Sequence, residues 1–188
     1  MEYAAEGIIL ASTPYEEAFI LDVFTKEYGR ITFVSKRQKK QKMVAASPLL
    51  AVELIVIPSE KRFWKCSDMQ ITTSFPKLRT TRARLLQAAS IANLLTKILP
   101  TRAPHPECFD AFRAFLEYMP LYTYPETATC LFLLKFCHFE GLFPSHELSS
   151  HEMQLCAQLV AAPFDEEITV KIDGSLLGKL EKLAKGGT

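Results

Sequence analysis

A chain of 188 residues with 48% hydrophobic content is large enough for one domain of moderate size or two small ones, and too apolar to be disordered. No uncharged apolar run reaches eighteen residues, which excludes a spanning helix, and the N-terminus carries acids rather than the basic flank of a signal peptide. The net charge of +1 conceals an asymmetry: residues 1–84 hold 14 Lys and Arg against 9 Asp and Glu, whereas residues 85–188 hold 8 against 12. A polyanion should therefore meet the N-terminal half. The five cysteines (Cys66, Cys108, Cys130, Cys137, Cys156) contain no C-x-x-C pair, which fits reduced, buried thiols in a cytoplasmic protein.

The first seventy residues read as short strands. Gly7–Ala11 is an apolar run closed by Ser12-Thr13-Pro14, and Ala18–Phe24 is rich in β-formers. Lys26-Glu27-Tyr28-Gly29 makes a tight connection into Arg30–Ser35, where Ile31, Phe33 and Val34 are apolar and Arg30 and Thr32 polar. After Ser47-Pro48 comes the β-branched run Leu49–Ile57, ended by Pro58-Ser59-Glu60-Lys61. Phe63–Cys66 and Met69–Thr73 make a last strand, bent at Ser67-Asp68. Five strands without a substantial helix imply a small closed or nearly closed barrel, since a barrel removes the exposed edges of a lone meander.

Phe75-Pro76-Lys77 marks a boundary, dividing the chain into residues 1–77 and 78–188. Thr80 or Thr81 caps a long helix to about Leu99, with Leu85, Ala88, Ala92, Leu95 and Leu99 at helical spacing and Pro100 as its stop. Further helices are expected over Glu107–Met119, Thr127–Glu140 (with Gly141 as a left-handed stop), Ser149–Ala162 and Ser175–Lys185. Glu167–Asp173 is a strand or an extended arm. The class is α+β, a barrel followed by helices.

The most distinctive chemistry lies at Lys36, Arg37, Lys39, Lys40 and Lys42, five cations in seven residues. Such a cluster cannot be buried, because each charge would carry a large desolvation cost. It either contacts a phosphate backbone or serves as a solvated edge-strand guard. Among the aromatics, Tyr28 beside the basic strand and Trp64 between Arg62 and Lys65 are candidate platforms for base stacking, the alternative being core filler. Arg79, Arg82 and Arg84 either extend the basic surface or form a hydrated helix start.

Catalysis has no support: G-x-S-x-G, H-E-x-x-H, phosphate-loop and dinucleotide fingerprints are all missing. Cys137, His138, His146, His151 and Cys156 are ligand types, but without close pairs, and His151 and Cys156 lie about 140° apart on a helix. No metal or cofactor is expected.

The order of several segments resembles the RecO family of bacterial recombination mediators. The residues are Glu6-Gly7-Ile8-Ile9-Leu10, Phe24-Thr25-Lys26-Glu27-Tyr28-Gly29-Arg30-Ile31, Ser35-Lys36-Arg37, Ser47-Pro48-Leu49-Leu50 and the FCHFEGLFP of Phe136–Pro144. The resemblance implies an N-terminal five-stranded oligonucleotide-binding (OB-fold) barrel and a helical domain. It also implies binding of single- and double-stranded DNA, strand annealing, and recombinase loading with RecR and single-strand-binding protein, without bond-making catalysis. By carry-over, Arg30, Lys36, Arg37, Lys39, Lys40 and Lys42 face DNA. Lys97, Arg102, Arg113 and Lys135 are candidates to rim a groove for the acidic tail of single-strand-binding protein. The family's paired zinc-finger cysteines are not present after Pro144, where the chain reads SHELSSHEMQLCAQL. The competing readings are a protein-interaction adaptor whose basic loop is merely solvated, and an RNA-binding barrel.

Overall fold

The computed structural model describes residues 1–36, 47–142, 148–166, 168 and 172–186, with the Lys36 side chain outside that description. The chain packs as two compact units, Met1–Phe75 with Ala89–Phe109, and Pro76–Ala88 with Asp110–Thr188. This division does not follow chain order, because residues 89–109 group with the strands although they lie beyond a boundary at 77/78.

The first unit is built on five antiparallel strands: β1 (Tyr3–Tyr15), β2 (Ala18–Thr25), β3 (Gly29–Lys36), β4 (Ala51–Ile57) and β5 (Lys65–Thr73), ordered β3-β2-β1-β4-β5. Strand β1 is long because it serves two partners. Tyr3–Ile8 pairs with β4, and Gly7–Tyr15 pairs with β2. Ile9 opposes Val23 while Ala11 opposes Asp22, so Leu10 is a bulged extra residue that bends the strand. The two-residue period of the strands sends Leu21, Val23, Ile31, Phe33, Val52, Leu54 and Val56 into one apolar interior with Ile9 and Trp64. The bend foreseen at Ser67-Asp68 is a second bulge, since Val56 opposes Cys66 while Ile55 opposes Asp68.

The sheet's outer strands, β3 and β5, meet at a parallel bridge between Phe33 and Trp64, where the Trp64 N–H donates to the Thr32 carbonyl at 2.9 Å. That contact closes the ring of strands and leaves no long free edge at this seam. The turn between β2 and β3 is equally specified. The buried Thr25 hydroxyl donates to the Gly29 carbonyl at 2.8 Å and accepts the Tyr28 N–H at 3.2 Å. Gly29 has φ +67°, and a Cβ there would lie 1.8 Å from the Ala103 carbonyl oxygen, so only glycine fits.

Helix α1 (Arg82–Ile98) contributes residues to both units, and the segment after it returns to the barrel unit. Thr101 bridges to Arg30, and the Arg102 N–H donates to the Arg30 carbonyl at 3.0 Å.

The second unit is helical, with most of α2 (Pro106–Tyr118), α3 (Pro125–Phe139), α4 (Ser150–Ala161) and α5 (Gly174–Ala184). A short 3-10 turn at Pro76–Thr80 precedes α1 and had no signal in the spacing of apolar residues. Helix α3 is its centre. Every residue from Thr127 to Leu134 is buried, as expected of a helix apolar around its whole girth. Phe132 packs on Phe112, Phe115 and Phe136 with ring centres 5.4–6.4 Å apart. Gly141 stops the helix at φ +67°, with Leu142 N–H donating to the Cys137 carbonyl and Gly141 N–H to that of His138. Ser149 and Glu152 form a reciprocal capping box on α4. The possible strand at Glu167–Asp173 falls largely outside the described residues.

Candidate nucleic-acid interface

The basic run begins where β3 ends. Lys36 pairs through its backbone with Ala18, just after the β1–β2 turn that carries Glu16 and Glu17. Arg37, Lys39, Lys40 and Lys42 lie outside the described residues. On the far side the chain is fixed again, as Leu49 N–H donates to the Ile9 carbonyl at 2.8 Å and Ile9 N–H to that of Leu50 at 2.9 Å. The connection that carries the cations is thus tied at both ends to the same strand framework.

Two expectations change. Arg30 does not project toward a phosphate: its Nη1 donates to the Thr96 carbonyl, and its Nε is buried. The alternating strand places it on the face that the end of α1 covers within the barrel unit. Trp64 is no exposed platform either, being 7% exposed and part of the barrel core. The apolar interior outcompeted the flanking charges Arg62 and Lys65. Tyr28 is half-buried, its ring centre 5.4 Å from that of Trp64 and 6.3 Å from that of Tyr3.

Arg79, in the turn before α1, and Arg82 and Arg84, in its first turn, belong to the other unit. Arg79 and Arg82 are exposed, whereas Arg84 is half-buried and donates to the Tyr122 carbonyl at 3.4 Å. The cations considered for a protein-binding groove are likewise divided. Lys97 and Arg102 belong to the barrel unit, and Arg113 and Lys135 to the helical one. Lys135 is spoken for: its ammonium donates to the Val160 carbonyl at 2.8 Å and lies 5.7 Å from the centre of the Phe164 ring. Burial pushes its pKa down.

A group overlooked in the sequence lies in the β4–β5 connection. Lys61, Arg62 and Lys65 are exposed, and the Arg62 guanidinium sits 5.2 Å from the centre of the half-buried Phe63 ring. Arg102 reaches the same connection, donating to the Lys61 carbonyl and, at 3.4 Å, to the Glu60 carbonyl. The Lys-Arg-Phe triplet was the available signal, but Phe63 read as barrel filler and Lys61 as part of a turn.

Elsewhere the barrel surface has the opposite sign. A groove of about 310 Å³ is lined by Glu6, Glu27, Glu53 and Asp68, with Ala4, Leu54 and Ile55 among its apolar residues. Glu6 and Glu53 are direct cross-strand neighbours. Four carboxylates repel phosphate, so this face is unsuited to a DNA path.

In the helical unit, burial pushes the Cys130 thiol up to about 12 and Cys137 up to about 11, with the neighbouring Cys156 adding to both. Among the described residues no three His, Cys, Asp or Glu side chains converge as a metal site would need, and His146 lies outside them. No described helix is long and apolar enough to cross a membrane.

Comparison with known proteins agrees with this architecture. Residues 1–75 match the family model described as recombination protein O N terminal, and residues 79–151 match that of recombination protein O C terminal. The DNA repair protein RecO of Exiguobacterium sibiricum is 26% identical over 143 residues, covering 74% of this chain and 57% of that protein. That of Halalkalibacterium halodurans is 24% identical over 77% of this chain and 58% of the relative, and that of Thermodesulfovibrio yellowstonii 30% identical over 63% and 49%. The chain therefore spans about half the length of the curated relatives it matches. With an OB-type barrel matching the family's N-terminal model and helices matching its C-terminal one, this chain belongs to the RecO family.

Proposed function

We propose that this protein binds DNA through its barrel unit and acts, without bond-making catalysis, as a recombination mediator in cytoplasmic DNA repair. The observation that carries the reading is the sequence Lys36–Lys42, strung between two points anchored on a RecO-family barrel. Cations held there neutralise phosphates and release counterions, which favours binding with little sequence preference. We extend the reading to annealing of complementary strands, cooperation with RecR and single-strand-binding protein, and use of both single- and double-stranded DNA, for which the likeness to the RecO family is the support. Lys36, Arg37, Lys39, Lys40 and Lys42 supply the main contacts. Arg79 and Arg82, exposed before and at the start of α1, are further candidates within the helical unit.

A salt titration of binding to an unstructured oligonucleotide tests the reading. With five or six phosphate contacts, log K falls against log salt with a slope of about −4 on single strands. Replacing the five cations of the run with Gln flattens that slope while leaving the fold intact. A wild-type slope near zero removes the electrostatic claim, and unchanged binding by the Gln variant moves the site elsewhere.

A further inference from the structure

We infer that Trp64, Tyr28 and Tyr3 form a radical relay that carries an oxidising hole from the barrel core to the protein surface. The relay is a property of the barrel unit and does not depend on the DNA-binding reading.

Three rings define the path. Trp64 is the single tryptophan of the chain, and its ring lies in the core at 7% exposure. Its centre is 5.4 Å from that of half-buried Tyr28, which in turn is 6.3 Å from that of Tyr3, itself 40% exposed. The rings meet at 59° and 65°, tilted and edge-on arrangements that bring one ring's edge against its neighbour. Backbone ties of the barrel set all three. Trp64 N–H donates to the Thr32 carbonyl at 2.9 Å, Tyr28 N–H donates to the Thr25 hydroxyl at 3.2 Å, and Tyr3 opens the β1–β4 pairing opposite Val56. Rings held in contact exchange an electron without waiting for a change of conformation.

The chemistry gives the relay its direction. A one-electron oxidant such as carbonate radical takes an electron from the Trp64 indole and becomes carbonate. The indole N–H is buried and has no acceptor among the described residues, so the radical cation keeps its proton and stays strongly oxidising. It recovers an electron from Tyr28, whose phenol releases its proton toward solvent. The Tyr28 phenoxyl then takes an electron from Tyr3 and regains a proton, while the Tyr3 phenol loses its own to water. A soluble thiol returns a hydrogen atom to the Tyr3 phenoxyl, which leaves all three side chains as they began and a thiyl radical outside the protein. Half-buried Cys66 and Met69 pack against the same core, and oxidation of either sulfur would put polar oxygen there. Draining the hole to Tyr3 spares them.

The test is laser photolysis of the whole chain at a wavelength that indole absorbs and phenol does not, so that the hole is born on Trp64. Nitrous oxide removes the ejected electron, tert-butanol removes the hydroxyl radical that results, and transient absorption follows the indole and tyrosyl radicals. The tyrosyl signal is expected to rise as the indole radical decays. In Tyr28→Phe, which keeps the ring and loses the phenol, that rise is expected to vanish and the indole radical to persist several-fold longer. A nitroso spin trap with mass spectrometry then locates the end of the path. The adduct is expected on Tyr3 and not on Tyr15, which is more exposed at 51% but belongs to neither ring pair. If Tyr28→Phe fails to fold, Tyr3→Phe, which alters an exposed ring, decides, and is expected to abolish the adduct without moving it to Tyr15. A tyrosyl rise unchanged in Tyr28→Phe, or adducts shared equally by Tyr3 and Tyr15, overturns the inference. So does a wild-type indole radical that decays with no tyrosyl rise.

Discussion

Phe33 and Trp64 face each other across the seam that converts a five-stranded sheet into a barrel. The Trp64 ring fills the interior beside Leu21, Val23 and Ile31, yet its indole N–H has no hydrogen-bond partner among the described residues. The residue contributes through volume rather than through its polar atom. Trp64→Ala is expected to cost about 3–5 kcal/mol of stability, and Trp64→Phe less than about 1.5 kcal/mol. Urea unfolding followed by far-UV circular dichroism measures both. A Phe substitution as damaging as the Ala one would mean that the indole nitrogen matters after all.

Three glycines should respond to Ala in three different ways. At Gly29 the left-handed backbone and the Ala103 carbonyl leave no room, and a loss of about 3 kcal/mol or more is expected. At Gly7 the new methyl would meet Val23 Cγ1 at 2.6 Å, an overpacking cost of about 1–3 kcal/mol. Gly178 lies within α5 with nothing within 4 Å of a Cβ, so Ala should stabilise by about 0.5–1 kcal/mol. Thermal melts of the three variants give the order directly. A destabilised Gly178→Ala would contradict the open space beside that residue.

Glu152 joins α4 to α5. It accepts from Lys179 at 2.8 Å and from the Ser149 backbone at 2.7 Å, and these partners hold its pKa down at about 2. A carboxylate depressed in the folded state stabilises fully above its unfolded pKa and loses that effect as pH falls through its folded value. Glu152→Gln should therefore lower the melting temperature at neutral pH. The gap from wild type should close between about pH 4.5 and about 2. Melting curves across that range check it, and a gap independent of pH would assign the effect to the capping geometry alone.

The thiols should differ in reactivity. Cys130 and Cys137 are fully buried with raised pKa values, whereas Cys66 is only half-buried, though its own value is also raised to about 11 by desolvation. An aromatic disulfide reagent at pH 8 is expected to label Cys66 first and slowly, and all five residues only in denaturant. Because buried thiols keep their protons longer than unfolded ones, stability should also fall as pH rises past the ordinary thiol value of about 9. Rapid native labelling of Cys130 would refute its burial.

The strands were legible because a half-buried strand alternates, as Ile31/Phe33 with Arg30/Thr32 do, and because a β-branched run such as Leu49–Ile57 marks a strand by composition. Helix α3 was legible for the opposite reason, its continuous apolar run ending at Gly141. The site was read less well. Flanking charge drew attention to Trp64, although a large apolar ring gains more from the core than from solvent. Arg30 looked free because its acceptor, the Thr96 carbonyl, is 66 residues away and leaves no local trace. Arg102, considered for a different surface, left no trace of its tie to the Glu60 and Lys61 carbonyls because that tie depends on the return of the chain after α1.

That return has a consequence for how the barrel unit is assembled during synthesis. A piece ending at residue 77 would contain all five strands yet lack the Thr96 carbonyl for Arg30, the Thr101 bridge and the Arg102 fork. A nascent chain must therefore emerge past Arg102, well beyond the end of β5, before those groups find their partners. Until the ribosome has released that stretch, the Arg30 guanidinium waits for an acceptor that only later codons supply.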